Sequence, residues 1–208
     1  MTFISKVIKY VIATQKKLCY SLNIVRGMNR MKKEERGIFE AKDLACYIKE
    51  KYYEYTNGLK SITPIKMQKA LYFCFAFWSG FVNKGKIDSE LFQDQKDRLF
   101  DDRIEAWSYG PVVPNVYFNE RESLLFRKKS QEQEAIKRVE VILNGNQFLA
   151  ETLDAILNDV FEVSDFKLVN ISHMDKSWQN HFHEEKNKHN EEIPKEEIIN
   201  EYTTRKCN

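Results

Sequence analysis

Glycine and proline are scarce in this chain, 7 and 4 of its 208 residues. Many-turn all-β architectures and Gly-rich dinucleotide or collagen-like folds depend on these residues, so they are poorly supported. The four cysteines, Cys19, Cys46, Cys74 and Cys207, are widely separated with no Cys-x-x-Cys pair. That spacing suggests neither a disulfide framework nor a zinc ribbon and leaves reduced structural thiols. No Walker loop, Gly-x-Gly-x-x-Gly string or Gly-x-Ser-x-Gly elbow occurs. Long apolar runs are missing too. The longest, Ala70 to Trp78, covers nine residues, about half of what a bilayer span needs. Val7 to Ala13 is interrupted by Lys9 and is followed by no small-residue cleavage site, which makes it a poor signal peptide. The expected location is the cytoplasm.

What is present favours helix. Hydrophobic residues make up 42% and charged residues 31%, with 14 Phe and 10 Tyr, a balance that can bury a core in a soluble protein. Leu44, Ile48, Tyr52 and Tyr55 form one stripe of a helix over 41–55, closed by Asn57-Gly58. Thr63-Pro64 opens the next, since Thr accepts from orphan amides and Pro loses nothing in a first turn. From there Met67, Ala70, Leu71, Cys74, Phe75, Trp78 and Phe81 follow 3, 4, 3, 4 spacing, and Tyr72, Phe73 and Phe77 widen the apolar surface into a central core helix. Each buried aromatic contributes about 2 kcal/mol. Residues 103–109 alternate as a short strand, broken at Gly110-Pro111. A helix over 146–161 and another capped by Ser164 follow, while 127–138 reads as solvated charge and the tail from Glu184 holds a short helix after Pro194. The expectation is a mainly α, compact helical domain with a short β-strand or hairpin near 103–109.

The net charge of +2 conceals an asymmetry. Residues 1–36 hold 9 Lys and Arg against 2 acidic residues, leaving 24 basic and 29 acidic in the remainder. A basic extension of this kind contacts phosphate or anionic lipid, or is simply solvated. Met28 and Met31 lie within it, and Met31-Lys32-Lys33 offers a second start, so part of it is expected to be a start-site artefact. Ile4, Val7, Ile8, Val11 and Ile12 recur at helical spacing within it. The division is thus 1–36, extension, and 38–202, domain.

Catalytic constellations are weak. His173, His181 and His183 could in principle offer three imidazoles to a metal, but their spacing does not suit one helical face and the His-Glu-x-x-His pattern is absent. His173 is expected to be a structural hydrogen-bonding residue near Trp178, and the others solvated. Asp101, Asp102 and Glu105 read as a solvated acidic face. More unusual is the segment Glu105 to Tyr117, where Trp107, Tyr109 and Tyr117 surround a Gly-Pro break. It reads either as a core corner or as a binding surface, because Trp and Tyr dominate interface hot spots.

Four blocks then resemble one known family. They are Asp43-Leu-Ala-Cys-Tyr-Ile48, Ile65-Lys-Met-Gln-Lys-Ala-Leu-Tyr72, Ile104-Glu-Ala-Trp-Ser-Tyr-Gly-Pro-Val-Val-Pro-Asn-Val-Tyr117, and Leu168 through His173 to Trp178. In this order they resemble the Panacea domain of SocA-like antitoxins, which includes phage-associated GepA-like proteins. The third block is the most specific. The resemblance implies a mostly helical domain that neutralises a cognate toxin by direct binding, with no reaction of its own, in one branch as an adaptor to a bacterial protease. By the match, Lys66, Gln68, Lys69, Tyr72, Trp107, Gly110, Pro111, Pro114, Tyr117, His173 and Trp178 occupy motif positions. Gly110 and Pro111 look architectural, whereas Lys66, Gln68, Lys69 and Tyr109 suit a polar contact surface. Asp175-Lys176-Ser177 stands where a Pro often precedes the Trp.

The leading expectation is therefore a non-enzymatic antitoxin, without catalytic, cofactor or metal residues. Its partner would be a protein toxin, encoded adjacently, with a protease as a further partner. The alternative is a nucleic-acid-associated phage or prophage regulator acting through residues 1–36. A third reading, a metal-dependent enzyme using His173, His181 and His183, would need stoichiometric zinc.

Overall fold

The computed structural model describes residues 37–88, 92–93, 95–119, 129–183 and 191–205. The basic extension and His189 lie outside them. Helix α1 (Ala41–Tyr55) and helix α2 (Pro64–Asp88) lead into a hairpin, β1 (Glu105–Trp107) and β2 (Gly110–Val112). A helical segment over 114–119 follows. Then come α3 (Lys129–Gly145), α4 (Gln147–Glu162), α5 (Asp165–His173), the single turn α6 (Lys176–Gln179), β3 (Glu191–Glu192) and α7 (Lys195–Thr204). The architecture is mainly α with one small antiparallel sheet. No helix among the described residues is long and apolar enough to cross a membrane.

Helix α2 is the hub. Ala70 through Ala76 and Trp78 are all fully buried, as expected for a helix apolar on every side, which must be surrounded. Helices α7, α4, α1 and α5 and strand β2 supply that surround. Its start is fixed as the sequence suggested: the Thr63 hydroxyl accepts from the Lys66 amide at 3.1 Å, satisfying one of the orphan donors. At Gly80 the helix meets α7 backbone to backbone. A Cβ there would lie 2.5 Å from Tyr202 Cβ, closer than packed carbons approach, so only glycine permits this crossing.

Three expectations require correction. The charged run begins a helix, α3, whose Ala135, Val139 and Leu143 are buried at four-residue intervals; one apolar residue per turn sufficed, because the helix packs mainly on α1, with a smaller contact to α4. Ser164 sits at the N-cap position just before α5 but its side chain makes no capping bond, while Asn146 does cap α4, accepting from Leu149 N at 3.0 Å. The charged tail also supplies a third strand. The order is β2-β1-β3, with Trp107 opposite Gly110 and Ala106 opposite Pro111 on one side of β1 and Glu191 opposite Ala106 on the other.

Candidate protein-interaction site

The first turns of α2 carry Lys66, Gln68, Lys69 and Tyr72, and the surface role expected for the first three does not hold. Lys66 is 5%, Gln68 4% and Lys69 1% exposed. Burying such groups is costly unless each polar atom finds a partner, and here each faces a main-chain group that secondary structure leaves orphaned. The Lys66 amine donates to the Val163 carbonyl at the end of α4 and lies 3.4 Å from Asp165. The Gln68 carbonyl oxygen accepts from Val113 N at 2.8 Å. The Lys69 amine donates to the Pro111 carbonyl at 2.9 Å. Gln68 and Lys69 thereby cover the outer edge of β2, which would otherwise present unpaired strand groups.

Gly110 makes this arrangement sterically feasible. Its φ of +88° lies in the left-handed region, and a Cβ there would stand 2.3 Å from Ser172 Oγ and 2.7 Å from Lys69 Nζ. The Lys69 amine is thus packed between the hairpin and α5. Burial pushes its pKa down to about 7, against the attraction of Asp175. His173 is lowered by burial and then by the Lys69 charge. Its ring stacks on Trp178 with centroids 4.0 Å apart and planes at 7°, and Phe182 stacks on Trp178 at 4.6 Å. His173, expected near Trp178 as a hydrogen-bonding residue, lies there but meets Trp178 by stacking, and its Nε2 is buried without a hydrogen-bond partner among the described residues. Trp178 Nε1 donates to the Trp107 carbonyl at 3.1 Å, tying the hairpin to α6.

Behind this lies a residue that sequence reasoning passed over. Asp175 is fully buried and accepts from Tyr72 Oη at 2.6 Å, Tyr202 Oη at 2.8 Å and Arg205 Nη2 at 2.6 Å. Burial raises its pKa, opposed by Arg205 and the two phenols. Through it α2, the α5–α6 junction and α7 share one anchor. The only signal was a lone acid between two short helical patterns. Glu105 was likewise misread as solvated: it is 8% exposed and accepts from Trp107 Nε1 at 3.0 Å. Asp101 and Asp102 are not merely a solvated face either, since they accept from the amides of Gly37 and Ala41, at 2.6 and 3.4 Å, and so fasten the start of α1.

The outward face is aromatic. Trp107 and Tyr117 are half-buried with rings 5.0 Å apart, and Phe118, a residue not singled out from sequence, packs on both. Tyr109 at the hairpin tip is 58% exposed and Phe118 50%. Between this hairpin and the start of α2 runs a cleft of about 470 Å³, lined by Pro64, Ile65, Gln68, Lys69, Trp107, Ser108, Tyr109, Val112 and Tyr117. The structure therefore brings Gln68, Lys69, Trp107, Tyr109 and Tyr117 to one cleft. Tyr72, Gly110, Pro111, His173 and Trp178 form its support, Pro114 opens the segment over 114–119, and Lys66 serves the end of α4.

The histidines separate in role. His181 sits between Glu191 Oε1 at 3.0 Å and Glu197 Oε1 at 3.1 Å, so it is not simply solvated. Burial alone would lower its pKa, but the bonds to Glu191 and Glu197 hold it above the ordinary value. Among the described residues no group of three or more His, Cys, Asp or Glu is placed to hold a metal ion. Cys46 and Cys74 are buried and form no disulfide among the described residues.

Comparison with known proteins adds a family. Residues 87–179 match the family described as Antitoxin SocA-like, Panacea domain. The match takes in the blocks at 104–117 and 168–178 and leaves those at 43–48 and 65–72 outside it. No curated protein and no solved structure matches the chain.

Proposed function

We propose, from the match of residues 87–179 to the SocA-like antitoxin Panacea family, that this chain neutralises a cognate protein toxin by direct binding, through the aromatic face of the hairpin and the cleft beside it. One observation carries the reading. Tyr109 and Phe118 remain largely exposed around half-buried Trp107 and Tyr117, while Gln68 and Lys69 of α2 bond to the main chain of the hairpin segment and hold that face in place. Flat amphipathic rings on a braced backbone give contact area at little entropic cost, which is how interface hot spots work. The action is stoichiometric, with no reaction of its own. Delivery of the bound toxin to a protease is a further step of the same reading.

Co-expression with the product of the adjacent reading frame tests it. Rescue of growth together with co-purification supports the proposal, and failure of both refutes it. Tyr109→Ala combined with Phe118→Ala should weaken the complex at least tenfold while the fold persists. Toxin half-life measured with and without this protein decides the protease step: shortening supports it, and an unchanged or lengthened half-life refutes it.

A further inference from the structure

The cleft has a polar floor of one kind. Gln68 is 96% buried, since only 4% of it is exposed, and its amide oxygen is committed to Val113 N, which fixes the orientation of the group. Its NH₂ therefore points two donors away from that bond, and neither has a partner among the described residues. Lys69, whose one hydrogen-bond partner among them is the Pro111 carbonyl, is also the one formally cationic residue lining the cleft, and no carboxylate lines it. The walls are Ile65, Val112 and the rings of Trp107, Tyr109 and Tyr117. A site with apolar walls, unused donors and a cation, but no anion, complements a group that brings acceptors and negative charge.

We propose that this cleft receives an acidic side chain of the toxin, an Asp or Glu flanked by an apolar residue, whose carboxylate is met by the Gln68 amide and the field of Lys69 while its neighbour packs between Ile65, Trp107 and Tyr117. This deepens the antitoxin reading and rests on it. It separates two tasks on one face: Tyr109 and Phe118 give area, and the cleft gives charge-dependent selection. A partner carrying a basic residue at the same place would leave the Gln68 donors unpaired and face a like charge, and that discriminates more strongly than the loss of area.

The test is a phage-displayed library of random twelve-residue peptides panned against the full chain at pH 6, below the Lys69 pKa of about 7, so that the amine carries its proton. The expected result is enrichment of sequences with Asp or Glu within two residues of Leu, Ile, Met or Phe. An enriched peptide, made with blocked ends so that no terminal carboxylate contributes, should lose about tenfold in affinity when its acid is replaced by the amide. Two paired variants guard against misfolding as an explanation. Ile65→Glu should weaken this peptide about tenfold relative to Ile65→Lys, and Tyr109→Glu relative to Tyr109→Lys should follow the same sign at the exposed rim. Both members of each pair remove the same apolar surface, so a purely structural role moves them together. Enrichment of basic sequences, no enrichment over an Ile65→Glu counter-selection, or equal binding by Glu and Lys variants each overturns the proposal. The co-expression experiment is separate. If the wild-type chain rescues growth and the Ile65→Glu chain rescues equally, the cleft assignment falls and the antitoxin reading stands. If the wild-type chain fails to rescue, the antitoxin reading falls and with it the toxin as the source of the acid.

Discussion

Lys69 offers the most exacting test of the buried scaffold. Its amine is 1% exposed, held by one main-chain carbonyl, and has a pKa of about 7 against 10.5 when free. The sign follows from proton counts. Between these two values the unfolded chain carries a proton on Lys69 that the folded chain lacks, so unfolding takes up a proton, an uptake that grows costlier as pH rises, and stability climbs. At 1.36 kcal/mol per pH unit the full interval is worth about 5 kcal/mol, and the part between pH 7 and pH 9 about 3 kcal/mol. Urea unfolding of wild type and Lys69→Met at pH 7, 8 and 9 reads this directly. Methionine matches the length and removes the charge; it also orphans the Pro111 carbonyl, a penalty of about 1–3 kcal/mol that does not depend on pH. The quantity to follow is therefore the pH dependence of the difference, not its value at one pH. Wild type should gain about 3 kcal/mol on the variant from pH 7 to pH 9. A difference that stays flat across that range would mean the amine is neither desolvated nor titrating there, and the account of the hairpin edge would be refuted.

The other expectations are local. Gly110→Ala should lower stability by about 2 kcal/mol or more, because it imposes a left-handed backbone on a side chain and a Cβ 2.3 Å from Ser172 Oγ; a thermal shift below 1 °C would refute it. Asp175→Ala should cost about 3–5 kcal/mol by removing the shared acceptor of Tyr72, Tyr202 and Arg205 and leaving Arg205 with Glu201 at 3.5 Å, with Asp175→Asn milder, and chemical denaturation of the pair checks the order. His181 has a folded pKa above its unfolded value, so its contribution is fully present below pH 6.5 and is lost as pH rises through the higher folded value. A neutral imidazole has one N–H for two carboxylates. Protection factors for amide exchange at Glu191–Glu192, which divide out the intrinsic rise of exchange with pH, should fall over that interval in wild type and stay constant in His181→Gln.

Periodic burial was legible in the sequence because it is written in side-chain spacing. Helix α1, the core run of α2 and α4 follow from stripes of apolar residues, and the Gly-Pro break marked the hairpin. Helix α3 was not legible, since Ala135, Val139 and Leu143 are one residue per turn among charges and only packing on α1, with a smaller contact to α4, makes that stripe sufficient. Strand β3 has no sequence signal at all: Glu191 and Glu192 are poor strand formers, and they pair because β1 offers a free edge. The site was half legible. Aromatics around Gly110 and Pro111 stood out, whereas the burial of Lys66, Gln68 and Lys69 depended on which carbonyls and amides come to face them, and that is information held by the tertiary fold.

This division bears on what the polar motif does. If Lys66, Gln68 and Lys69 were contact residues, exchanging them would alter partner choice and leave stability untouched. Their bonds to Val163, Val113 and Pro111 place them instead where the hairpin is joined to the bundle, so their first effect is on the position of Trp107 and Tyr117. Gln68 alone does both, with its oxygen spent on Val113 and its NH₂ left over. Gln68→Glu separates the two duties. The carboxylate can still accept from Val113 N, so the fold should persist, but the donors are gone and a negative charge takes their place. Affinity for an acidic peptide should fall at least tenfold with a thermal midpoint within about 3 °C of wild type. Loss of the fold together with binding would show that the amide serves only the scaffold, and unchanged binding would show that its donors meet nothing.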